Sequence, residues 1–341
     1  MKRILYLIGA LAAITLGYLL LRKNINTTAA AGLRDFAIEK PEAVDRIFLS
    51  LTGTQKFVLM EKDKDGKWTV QGPDKNPLPA DPSNIDMLLN FVMKKLEVKF
   101  PVSDSAVEPI SRLLFLKSTK AEFYLNGKLH KTIFVGGPTP NSLGTYMFMK
   151  EVDRPCVMHV PGFDGYLTPY FSVNLSDWRS KTVMQVPPEK VKSVQVSWNE
   201  TPEMGWKIVR NSDQDIKLFD ISGHELNAPR NLLRATTAMM EDIRMEGVPN
   251  ISKARMDTVL RGKPFYSLMV EDVDGTKHSI ELFRIPVSNE TYSPEDRDGN
   301  ARLFEIEYFW ARIDGRPELV QMQDAVMRNR MKRITDFQAQ P

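Results

Sequence analysis

"IFVGGPTPNSLGTYMFMK", Ile133 to Lys150, admits two readings that lead to different folds. As strand, glycine loop and helix it opens a nucleotide-binding α/β fold; as strand, turn and strand it is one hairpin of an antiparallel sheet. A phosphate cradle needs backbone N–H groups at a helix N-terminus, with glycines that let the ligand approach. Here Gly136, Gly137 and Gly144 are followed by "TYMFMK", which alternates as a strand does, and no Gly-Lys-Ser/Thr appears. The stretch reads as a strand connection whose glycines bend the backbone and hold no phosphate.

Outward from this hairpin the chain repeats itself. "AVDRIFLSL" (Ala43 to Leu51) matches "KVKSVQVSW" (Lys190 to Trp198), with Val44, Ile47, Leu49 and Leu51 opposite Val191, Val194, Val196 and Trp198. "DGKWTV" (Asp65 to Val70) answers "MGWKIV" (Met204 to Val209). "DPSNIDMLLNFVMKKL" (Asp81 to Leu96) answers "NAPRNLLRATTAMMEDI" (Asn227 to Ile243); each has a capping residue, a proline near the first turn and apolar residues at helical spacing. "AEFYLNGKLHKTIFV" (Ala121 to Val135) answers "YSLMVEDVDGTKHSIEL" (Tyr266 to Leu282), with Asn126-Gly127 and Asp274-Gly275 at the tight turns. "DRPCVMHV" (Asp153 to Val160) answers "GRPELVQM" (Gly315 to Met322). The fold expected is α+β: two tandem repeats of an antiparallel-sheet unit with one covering helix each, preceded by an N-terminal transmembrane helix. The divisions expected are an anchor over 1–24, a linker over 25–35, repeats over 36–176 and 177–331, and a tail over 332–341.

The anchor rests on "MKRILYLIGALAAITLGYLLLRKN": Lys2 and Arg3, an uncharged and mostly apolar run from Ile4 to Leu21, then Arg22 and Lys23. As a helix the run is about 27 Å long, close to the roughly 30 Å of bilayer hydrocarbon. "TTAAAG" (Thr27 to Gly32) offers a cleavage point after Ala31, yet two cations and a polar spacer part it from the run, which favours a retained anchor over a cleaved signal. Lys2 and Arg3 beside the amino group place the short N-terminal end inside and the bulk of the chain outside the cytoplasmic membrane. The partners expected are the lipid bilayer, through residues 4–21, and an envelope or membrane protein.

"DFAIEKPEAVDRIFLS" (Asp35 to Ser50), the junction "DWRSKT" (Asp177 to Thr182) and the glycines followed by "GTYMF" (Gly144 to Phe148) resemble a bacterial family of domains of unknown function, number 4340. The resemblance covers most of residues 33–330. It implies a protein anchored outside the cytoplasmic membrane, in some members encoded beside ABC-type transporters related to gliding-motility components. It supplies no catalytic residues, and the second copy lacks the glycine pattern.

At 42% hydrophobic and 26% charged residues with a net charge of +3, the 341-residue chain is globular and carries no basic stripe, which speaks against nucleic acid as a partner. The lone Cys156 excludes an internal disulfide and reads as a small buried apolar side chain. No two of His130, His159, His224 and His278 stand at zinc-ligand spacing, and no Gly-x-Ser-x-Gly elbow is present. No cofactor and no catalytic group is expected. Asp296, Asp298 and Asn300 alternate like calcium ligands, but Gly299 stands fourth where a calcium loop puts glycine sixth, so a solvated loop is the better reading. Phe163, Tyr166, Tyr170, Phe171 and Trp178 gather at the junction of the two copies. Packing between the copies explains them most simply; of these, Tyr166, Tyr170, Phe171 and Trp178 are the candidates for stacking on a glycan or partner. The basic tail "MRNRMKRI" (Met327 to Ile334) reads as a solvated helix end, with acidic lipid as the competing reading. The function expected is a binding or scaffold subunit of an envelope assembly; the alternative is a cell-wall or polysaccharide-binding module with or without hydrolase activity.

Overall fold

The computed structural model describes residues 36–288, 294–316 and 318–337. The expected anchor and linker, residues 1–35, lie outside them. Among the described residues no helix is long and apolar enough to cross a membrane. The protein is α+β with antiparallel sheets, and it divides into two compact units between Ser180 and Lys181.

The first unit is built on β1 (Val44–Leu51), β2 (Phe57–Lys62), β3 (Trp68–Gln71), β4 (Leu78–Pro79), β5 (Glu97–Pro101), β6 (Thr119–Leu125), β7 (Lys128–Pro138), β8 (Thr145–Met149) and β9 (Cys156–His159). Its nine strands run in the order β4-β3-β2-β1-β6-β7-β8-β9-β5. Period-two alternation turns Ile47, Leu49, Val58, Met60, Phe123, Ile133, Val135, Met147 and Met149 to one face, all fully or almost fully buried. That face packs against Ile85, Leu88, Leu89 and Val92 of helix α1. α1 opens over Pro82–Asp86 and continues through a wider π turn, Met87–Val92. Asp81 caps it, its side chain accepting from the Ser83 N–H, and Pro82 fills the first turn, where no N–H is needed.

The second unit holds an eight-stranded sheet ordered β14-β13-β12-β11-β16-β17-β18-β19. The strands are β11 (Val191–Trp198), β12 (Trp206–Arg210), β13 (Ile216–Asp220), β14 (Glu225–Leu226), β16 (Tyr266–Asp272), β17 (Lys277–Pro286), β18 (Phe304–Ile313) and β19 (Leu319–Gln323), with β10 (Thr182–Met184) and β15 (Ile243–Arg244) pairing separately. Leu233 of helix α3 (Arg230–Ala238) joins Val194, Val196, Ile208, Leu268, Val270 and Ile280 in its core.

Two expectations need correction. Each unit carries a second helix beyond the one expected: α2 (Asp104–Leu116) in the first and α4 (Lys253–Arg261) in the second. Pro109 inside α2 and the unbroken run Leu113 to Leu116 hide its helical period. The tail expected from residue 332 belongs in part to the second core. Short helix α5 (Asp324–Met327) leads into a segment whose Ile334 and Phe337 are buried, and the Lys332 carbonyl accepts from the Trp198 Nε1 (3.3 Å) and the Trp206 Nε1 (2.8 Å). Neither a solvated helix end nor a lipid-facing one describes it, because indole donors need an internal acceptor once buried.

Candidate functional site

The opening stretch folds as β7, a tight connection and β8, with Gly136 and Gly137 inside the strand. The connection closes by Thr139 N–H to the Gly144 carbonyl and by the Asn141 side chain accepting from the Leu143 N–H. No helix begins there. Gly136 has a packing reason: a Cβ on it would come within 2.4 Å of Leu114 Cδ2 and 3.1 Å of the Tyr146 carbonyl. Leu114, on the inward side of α2, thus sits directly on the β7 backbone.

This seating builds the apolar site. Ser111, Leu114 and Phe115 of α2 face Phe134 of β7, Phe148 of β8 and Lys150 across a cavity of about 250 Å³. Phe134 and Phe148 are cross-strand partners with ring centroids 6.3 Å apart. Above them the last turn of α2 is apolar on its outer arc: Leu113 is 48% exposed, Phe115 79% and Leu116 61%. Cations surround it. Arg112 pairs with Glu108 at 2.8 Å and Lys120 with Glu122 at 2.5 Å, while Lys117 and Lys150 are exposed at the rim. In the second unit the strands at the same places in the sheet order carry a partnered pair, Phe283 and Trp310, each 5% exposed, clustered with Met256, Val259 and Leu260 of α4. The Arg255 guanidinium lies 5.1 Å from the Trp310 ring and that of Arg312 5.7 Å from Phe283. The second unit covers this pair with α4; the first leaves the end of α2 above its own pair exposed.

The junction aromatics belong to the first unit, not to a seam between copies. Phe171 and Trp178 are buried in its core, the Trp178 Nε1 donating to the Ser172 carbonyl, and Phe163 and Tyr170 stack with Phe91. Tyr166 alone of the four stacking candidates is exposed, at 39%. A core side chain has no face to offer a sugar.

Asp296, Asp298 and Asn300 form a turn. Asp296 Oδ1 accepts from the Asp298 and Asn300 N–H groups and Oδ2 from the Asn300 amide, so the carboxylate is spent on its own loop, and those bonds hold it below the usual carboxylate range. Among the described residues no three His, Cys, Asp or Glu converge as a metal site. His224 Nδ1 lies 3.1 Å from Asp220 Oδ2 and His278 Nε2 3.7 Å from Asp272 Oδ2. These are single contacts at the bases of hairpin turns.

The sheet half of the apolar site leaves a signal in the sequence. "IFV" in β7 and "MFM" in β8 are apolar on both strand faces, which a sheet with one solvated face does not need. The edge strand β5 is a weaker site: its bulge between Val98 and Phe100, with Lys99 and Pro101 in the strand, is the guarding that discourages strand addition.

The model of the family described as domain of unknown function DUF4340 matches residues 68–259, from the start of β3 into the last turn of α4, and so reaches into both units. No curated protein and no solved structure matches the chain. A match over more than half the chain, in the strands and helices of both units, makes this protein a member of the DUF4340 family.

Proposed function

We propose that the chain is a tandem duplication held at the outer side of the cytoplasmic membrane, where it serves as a binding or scaffold subunit of an envelope assembly of the ABC-transporter or gliding-motility-like kind. The observation that carries the duplication is agreement in register. Ile47 pairs with Phe123 and Val194 with Val270; Ala121 pairs with Ile133 and Leu268 with Ile280. Each residue of the second set stands 147 positions after its counterpart. The bulge between Val44 and Arg46 recurs between Val191 and Ser193 at the same spacing. A shared bulge is a specific feature, because one slipped residue would turn every side chain to the opposite face.

The binding role draws support from the open apolar surface of the first unit, since exposed patches rimmed by polar residues mark interaction sites. The membrane location draws on the run Ile4 to Leu21. The glycan-binding alternative loses support with Phe171 and Trp178 in the core. Crosslinking of the full chain in native membranes tests the role: a repeatable set of envelope proteins is the expected product, and a chain that yields no repeatable partner is not a scaffold.

A further inference from the structure

We infer that the last turn of α2 is a bilayer contact: Leu113, Phe115 and Leu116 enter the headgroup boundary of an anionic membrane while Arg112, Lys117 and Lys150 meet its headgroups. The inference deepens the membrane reading above and rests on it. Four observations converge. First, above the cavity the exposed apolar surface is the outer arc of a helix end. With 100° per residue and Leu114 pointing into the sheet, Leu113 and Phe115 lie about 100° to either side and Leu116 about 160° away, so the helix end is apolar all round. Anchor pockets between proteins are concave and fully desolvated, whereas a tip of Phe and Leu suits the boundary between headgroups and acyl chains. Second, the charges beside the tip complement anionic headgroups: the carboxylates of Glu108 and Glu122 are taken by Arg112 and Lys120, and Lys117 and Lys150 add positive charge. Third, at the comparable place in the second unit α4, Arg255 and Arg312 cover the Phe283–Trp310 pair and α4 carries no large exposed apolar side chain, so an apolar helix tip of this kind is found on α2 and not on α4. Fourth, only the 14 residues 22–35 separate Leu21 from Phe36. They reach no more than about 50 Å, against a unit about 40 Å across, so the first unit stays within contact distance of any bilayer that holds the run.

The test uses the full chain reconstituted into vesicles of phosphatidylglycerol and phosphatidylethanolamine, or of phosphatidylcholine alone. Phe115→Cys or Leu116→Cys carries an environment-sensitive fluorophore; the native Cys156 is fully buried and does not compete. Ile221→Cys, at an exposed position of the second unit, is the control. The expected result is a blue-shifted emission quenched by brominated lipid for both α2 probes in the anionic vesicles, weaker in phosphatidylcholine, reduced by Arg112→Gln with Lys117→Gln, and absent from the control. Carbonate-resistant flotation with both α2 probes in water overturns the bilayer contact and leaves the anchor standing. Probe insertion in a chain that carbonate extracts keeps the contact and removes the anchor. A chain that does not float loses both. Protection of the α2 probes by a bound protein in native membranes, without lipid quenching, assigns the surface to that protein instead.

Discussion

Gly136 shows how one missing side chain can position a helix. Its absent Cβ leaves room for Leu114, and the nearest contact is a side-chain end, so the conflict introduced by Gly136→Ala falls on the seating of α2. Overpacking of this kind costs about 1–3 kcal/mol, and Leu114→Ala alone costs about 2–5 kcal/mol. The two residues share one space, so the double variant is expected to be more stable than the sum of the single effects allows. Denaturant unfolding of all four proteins measures that coupling, and simple additivity would show that α2 does not rest on Gly136. Gly137 makes the control: nothing lies within 4 Å of a Cβ built there and no positive φ is required, so Gly137→Ala should leave stability nearly unchanged. Cys156 is a second residue whose surroundings set its chemistry. Burial, and then the nearby Asp153 carboxylate, push its thiol up to about 11. The thiolate is the reactive form, so a thiol reagent at neutral pH should label Cys156 only as the chain unfolds; labelling at native rates would contradict its burial.

At the level of the element, four hairpin turns among the described residues use one device. Asp63, Asp220, Asp272 and Asp296 each accept through Oδ1 from the N–H groups two and four residues on, and Gly66, Gly223, Gly275 and Gly299 follow three residues after with φ between 80° and 85°. The carboxylate replaces the backbone acceptor that a turn lacks, and glycine takes the left-handed position where a Cβ would meet the carbonyl. Gly275→Ala is expected to cost about 1–2 kcal/mol by forcing an L-residue into that region, read as a lower midpoint of chemical unfolding. Backbone bonds from His224 hold Asp220 below the usual carboxylate range, as those from Asn300 do Asp296. Depressed carboxyls of this kind add stability that is complete above the unfolded value near 4 and is lost as pH falls through the folded one. Unfolding followed from pH 6 to pH 2 should therefore show loss beginning below about pH 4, shallower in Asp220→Asn with Asp296→Asn. These hairpins were legible because period-two apolar strands and Gly-containing turns are local signals; the expected turn at Asn126-Gly127 has both residues at positive φ. At Asp274-Gly275 the sequence pointed to the turn but not to Asp272, the residue that closes it. "IFV" and "MFM" mark the sheet half of the apolar site, but helix α2 and its seat were not legible, because Leu114 meets Gly136 and Phe115 nears Phe134 only after β6 and β7 have paired, and sequence spacing holds no record of that meeting.

At the scale of the whole molecule, the C-terminal segment closes the core of the second unit. The expected boundary at residue 331 would remove Lys332, whose carbonyl serves both Trp198 and Trp206, together with Ile334 and Phe337. The Phe337 ring stands edge-on to Trp206 with centroids 4.9 Å apart, and both side chains are almost wholly buried. Upstream, the Arg330 guanidinium donates to the carbonyls of Met239, Val326 and Asp242, joining this segment to the end of α3, and its own carbonyl accepts from the Tyr266 hydroxyl. A buried indole and a half-buried one without their acceptor, and a core without its closing ring, cannot be offset by the solvent that enters, because the loss combines desolvated donors with a large cavity. Phe337→Ala alone is expected to cost about 3–5 kcal/mol, and a chain ended at residue 331 should lose more. Hydrogen exchange locates the loss. Protection should fall in β11, β12 and β16, which carry Trp198, Trp206 and Tyr266, while β1, β6 and β7 of the first unit keep theirs, because each sheet has its own core cluster. Equal loss in both sheets would mean that the units do not unfold as separate bodies, and an unchanged second sheet would mean that the segment after residue 331 does not close it.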